Sequence, residues 1–194
     1  MAMKPSCWRV VLSMILMGLG TPNTRAQALT PSGITYTYTL EENSQTKLCE
    51  IILDLESPVA PELIEFTAFA GYGKVDKTVA VGFIAVAGKL IGADDFSQIP
   101  LSDAAFVSKT FQSKDRLDYE VRNNGSFMAA TDNRGAAGDF LRAFFAGNFE
   151  IRLESREPAA SSSSYAISEG PPAEAQDRFG TCVEHLISPA VSSL

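Results

Sequence analysis

Strict alternation is the clearest pattern in the chain: in ITYTYTL, Ile34, Tyr36, Tyr38 and Leu40 alternate with Thr35, Thr37 and Thr39. A period of two with Tyr and Thr prominent predicts a half-buried strand. The polar stretch 41–47 turns the chain. KLCEIILDL follows, with Cys49, Ile51, Leu53 and Leu55 on one face and Glu50 and Asp54 on the other. The two runs predict an antiparallel hairpin with Cys49 turned inward. Residues 58–70 (PVAPELIEFTAFA) fit a helix opened by Pro61 or a strand; Gly71 and Gly73 cut the run short, which favours strand. KTVAVGFIAVAG is a clearer strand, dense in β-branched residues.

Gly92 to Gln98 reads as a loop, with short extended pieces around Ile99–Leu101 and Phe106–Phe111. In LDYEVRNNGSFMAAT two short runs flank Asn123-Asn124-Gly125, and the Asn-Gly pair predicts a hairpin with a type I′ turn. The last third changes period. Phe140, Leu141, Phe144 and Phe145 form one apolar stripe, which predicts a helix near 139–146 capped by Asp139 and ended by Gly147. The strand NFEIRLES and, after a Ser-rich loop, the short strand YAI come next. Gly170-Pro171-Pro172 then opens a final helix, about 173–187, with Phe179, Cys182, Val183 and Leu186 on one face. The pattern predicts one α+β domain, 29–187: β-rich, mostly antiparallel and sandwich-like, with one mid-chain helix and one C-terminal helix. Residues 188–194 are expected to form a frayed tail.

The first 28 residues do not belong to that pattern. Lys4 and Arg9 precede the apolar run Val10 to Gly20, and Ala26-Gln27-Ala28 supplies a small-x-small cleavage site. This is the layout of a secretory signal peptide cut after Ala28. The apolar run falls short of the roughly 20 residues a membrane-spanning helix needs, so no integral anchor is expected after cleavage. Removal takes Lys4, Arg9 and Arg25 and no acid, so 16 basic residues fall to 13 against 23 acidic ones. An acidic chain repels phosphate backbones and anionic lipid, which argues against a nucleic-acid partner. Trp8, the single tryptophan, leaves as well. Cys7 also leaves, so the mature chain keeps Cys49 and Cys182. In an oxidising compartment one long-range disulfide between them is expected.

Candidate chemistry is thin. His185 is the only histidine; close to the end of the last helix, it suits a dipole contact better than a general base. Ser44-Gln45-Thr46-Lys47 matches the S-x-x-K of serine acyl-transferases, but it lies in a strand-strand turn without companion motifs. Asp94-Asp95, Asp115/Asp118/Glu120 and Asp132/Asp139 are the acid clusters that could serve a hydrolase if a cleft opposed them. Asp132-Asn133-Arg134-Gly135 would be a calcium loop only if an oxygen ligand stood where Arg134 is. Two cysteines and one histidine without close spacing do not make a zinc site. No catalytic residue, metal ligand or cofactor is therefore assigned.

The order of the last 60 residues resembles small exported alphaproteobacterial proteins of the invasion-associated locus B kind: the helix FLRAFFAG, the strand NFEIRLES, the strand YAI, and a helix bearing Cys182. The resemblance implies a periplasmic β-rich domain and carries over no catalytic residue. The expectation is an exported, periplasmic or secreted, non-enzymatic protein that binds a protein or envelope ligand. The alternative is a carboxylate-dependent hydrolase acting on envelope polymers or glycans.

Overall fold

The computed structural model describes residues 27–29, 35–43, 47–56, 62–72, 78–90, 96–157 and 162–187, the side chains of 27–29, 90 and 96 excepted. The apolar run 10–20 and the tail 188–194 lie outside these residues. The Tyr/Thr alternation becomes β2 (Thr35–Asn43), with Tyr36, Tyr38 and Leu40 buried. It pairs antiparallel with β3 (Leu48–Glu56), Leu40 opposite Ile51, and with the short β1 (Gln27–Leu29) on its other side. The ambiguous segment is a strand, β4 (Glu62–Tyr72). Its residues 66–70 are buried without alternation, which is why its pattern suits either element. β5 (Val79–Leu90) follows antiparallel to β4.

The expected loop 92–98 is partly strand: β6 (Phe96–Ile99) pairs with the end of β5. After β7 (Leu101–Ser108) and a single 3-10 turn (Ser113–Asp115), β8 (Asp118–Val121) and β9 (Phe127–Thr131) form the expected hairpin. Its turn differs from the expected type I′. Only Gly125 is left-handed, at φ 83°, while Gly125 N–H donates to Arg122 O and Arg122 N–H to Ser126 O. That is a three-residue loop with a glycine bulge. The Asn124 side chain accepts from both the backbone N–H and the hydroxyl of Ser126, so it has a local partner without positive φ.

The mid-chain helix also starts earlier than its stripe suggests. α1 runs Arg134–Ala146, and Asn133, not Asp139, is its N-cap, its side-chain oxygen accepting from Gly135 and Ala136 N–H. Gly135 and Gly138 make the first turns look unhelical. Burial of Ala136 and Ala137 beside Phe140 outweighs that propensity. Gly147, at φ 69°, ends the helix as expected. β10 (Phe149–Ser155) buries Phe149, Ile151 and Leu153, and β11 (Ser163–Ile167) and α2 (Ala173–Ile187) follow it.

Among the described residues eight strands form one sheet in the order β1-β2-β3-β4-β5-β9-β8, with β6 also on β5; β11-β10-β7 form a second. Every named pairing is antiparallel. The second sheet and both helices cover one face of the large sheet, giving an α+β, sandwich-like fold. Phe106 of β7 sits where they meet, within 6.5 Å, centroid to centroid, of the rings of Phe66, Phe111, Phe140, Phe144 and Phe149. Cys49 and Cys182 are joined, their Cα atoms 6.0 Å apart, which fastens α2 to β3.

Candidate functional site

At one end of the sandwich the two sheets part. The starts of β4, β7 and β11 and the ends of β5 and β10 surround an open cleft of about 400 Å³, with β6 on its flank. That volume lies within the range of small-molecule sites. Its walls are the outermost core residues of each strand: Ile64, Ala87, Leu101 and Leu153, all buried, and the partly buried Ile99. Strand alternation puts these side chains between the sheets, and at the strand ends no further layer fills the space.

Polar groups ring the opening: Glu62, Lys89, Ser97, Gln98, Ser155, Glu157 and Ser163. Among them, the Glu62 carboxylate accepts from the Tyr165 hydroxyl at 3.2 Å across the two sheets. Burial pushes the Tyr165 phenol up to about 12, partly offset by a Ser163 hydrogen bond, so it stays a proton donor near neutral pH. Sequence reasoning missed this pair. The two residues are 103 positions apart, at the starts of an ambiguous strand and a short one, so no local signal joins them.

The acids singled out from the sequence lie elsewhere. Asp139 is on the outer side of α1, paired with Arg116 at 2.7 Å and with Arg142; hydrogen bonds from both guanidinium groups hold its carboxyl below the usual range. Asp115, Asp118, Glu120 and Asp132 are exposed, and none lines the cleft. Asn133 spends its side-chain oxygen on the helix cap, and Arg134 is the first residue of α1 rather than a ligand position. His185 is exposed in the last turn of α2. Lys47 lies over the Tyr72 ring at 5.0 Å, whereas Ser44, Thr46, Asp94 and Asp95 lie outside the described residues. Among the described residues no three His, Cys, Asp or Glu gather as metal ligands.

A second acidic feature comes from strand register. On the face of the large sheet turned away from the core, Glu41 stands opposite Glu50 and Asp54 opposite Glu65. Burial first, then Asp54, raises the Glu65 carboxyl to about 7; burial and Glu41 raise Glu50. A raised carboxylate keeps its proton in the fold after the unfolded chain has lost it, so stability falls as pH climbs from 4.5 to about 7. Glu65→Gln should flatten that slope in denaturation series across this window, by at most about 3 kcal/mol.

No protein-family model matches the chain, nor does any curated protein or solved structure.

Proposed function

We propose that this is an exported, periplasmic or secreted, protein that acts by binding, and that a small ligand with an apolar body seats in the cleft between the sheets. The observation that carries the reading is the cleft itself: an apolar floor built from five strands under a polar ring of both charges. Pockets of this make-up take ligands through apolar burial and use a few polar groups to fix orientation. The Glu62 and Tyr165 pair supplies such a fixed group. Export is supported by the signal pattern of residues 1–28 and by the long-range disulfide. Cleavage after Ala28 would leave only Leu29 of β1, making β2 the sheet edge.

Loss of Trp8 with the signal makes the test direct. Ser97→Trp places a sole tryptophan on the exposed rim of the cleft in the exported protein. A screen of small amphiphiles should give saturable changes in its emission, and methyl resonances of Ile64, Leu101 and Leu153 in the protein with Ser97 intact should shift with the same compounds. If no compound moves those methyls, or if shifts gather at another surface, the cleft is not the site.

A further inference from the structure

Two opposite charges at the mouth of the cleft stand side by side without pairing. Glu62 and Lys89 are register partners on β4 and β5. Each lies two residues outward from a wall residue of the cleft, Glu62 from Ile64 and Lys89 from Ala87, so both belong to the face turned toward the second sheet. Side chains placed in this way have Cβ atoms about 4.5–5.5 Å apart, and an acid and a base there attract each other. Here the Glu62 carboxylate is drawn across the gap instead, accepting from the Tyr165 hydroxyl at 3.2 Å, while Ser163 bonds the same phenol. Among the described residues Lys89 has no ion pair. Lys89, Ser97 and Glu157 are exposed, and Glu62 and Ile99 are partly so, which leaves the mouth open to solvent.

We propose that the cleft takes a free α-amino acid with an apolar side chain: its ammonium on the Glu62 carboxylate, its carboxylate on the Lys89 ammonium, its side chain against Ile64, Leu101 and Leu153. The inference rests on the cleft being the ligand site and adds which ligand it takes. Charge decides between the classes. A fatty acid or other anion satisfies Lys89 but faces Glu62 and, two residues past β10, Glu157. An amine satisfies Glu62 but sets a second cation beside Lys89. Only a head with both signs on neighbouring atoms answers both, and an amino acid carries them on one carbon with the side chain as a third arm. Glu62 can accept from the ligand and from Tyr165 together, because a carboxylate offers about four lone-pair sites. Size agrees as well, since about 400 Å³ is at the small end of ligand pockets. Tyr165 is the positioning residue: by holding Glu62 away from Lys89 it keeps both charges available.

The test compares leucine with its two halves, isocaproate, which lacks the ammonium, and isoamylamine, which lacks the carboxylate. Each is titrated into the exported protein near neutral pH and followed at the methyl resonances of Ile64, Leu101 and Leu153. Leucine should bind roughly tenfold more tightly than either half. Glu62→Gln should erase its advantage over isocaproate without weakening isocaproate, and Lys89→Gln its advantage over isoamylamine without weakening isoamylamine. Tyr165→Phe should weaken leucine, because Glu62 is then free to turn to Lys89. Leucine binding no more tightly than its halves would overturn the proposal. So would a loss spread equally over all three compounds in the Glu62 or Lys89 variant, the mark of a merely structural effect. If other small amphiphiles move these methyls and leucine does not, the cleft stands and the amino-acid reading falls; if nothing moves them, both fall.

Discussion

Replacing Cys49 and Cys182 together by serine is expected to lower the melting temperature of the oxidised protein by roughly 10–20 °C. The bond closes a loop with a sequence separation of 133. Constraining a loop of that length in the unfolded chain stabilises the fold by about 5 kcal/mol in the chain-entropy picture. Whole domains hold only about 5–15 kcal/mol, so the loss is a large share. It should also be local at first. α2 fully buries only Ala175 and Phe179, with Cys182, Val183 and Leu186 partly buried against the core, and beyond the disulfide it is tied by the Phe145 to Phe179 ring contact, a Gln176 side-chain N–H donated to Phe145 O and the Arg178 to Glu42 ion pair. Hydrogen exchange in the double variant should therefore rise in α2 before it rises in β3 and β4. Adding reductant to the unaltered protein should reproduce both effects. A melting temperature unmoved by serine and by reductant would remove the staple from the account.

Phe106→Ala is expected to cost about 3–5 kcal/mol, read as a lower denaturant midpoint with the slope of the transition unchanged. Phe106 is fully buried and its ring is the meeting point of both sheets and α1, with Phe149 at 4.7 Å and Phe140 at 5.2 Å. A hole there opens toward three elements that move independently only at the expense of the others, so the site collapses poorly. Tyr119, also aromatic and stacked on Phe127, is 68% exposed on the edge strand β8. Tyr119→Ala should cost well under half as much, which separates burial from ring contact as the cause. Equal losses at the two positions would contradict the placement of the core.

Much of this fold was legible because period carries it. Tyr36 to Leu40, Cys49 to Leu55 and Phe149 to Leu153 alternate so regularly that one register exposes the right side chains. The last helix could be bounded because Pro171-Pro172 opens it and one stripe runs its length. Local competition hid the rest. Asn133 and Asp139 are both good capping residues, and only the packing of Ala136 and Ala137 decides between them. Asn124-Gly125 permits a type I′ turn, but the bonds from Ser126 to Asn124 give a different loop. The cleft was illegible for a different reason: it belongs to no segment. Glu62, Leu101, Leu153 and Tyr165 meet only when two sheets part at one end, and each reads alone as an ordinary strand residue. The acid rows lie between these cases. Glu50 and Asp54 were visible as the outward face of one strand, but Glu41 and Glu65 join them only once register is known.

One measurement tests both the proposed export and the stapling of the last helix to its sheet: the intact mass of the protein recovered outside the cytoplasm, without reduction. The expected mass is that of a chain beginning at Leu29 and lighter by the two thiol hydrogens of Cys49 and Cys182. A chain that keeps Met1 in the membrane fraction, or a processed chain carrying two free thiols, would contradict it.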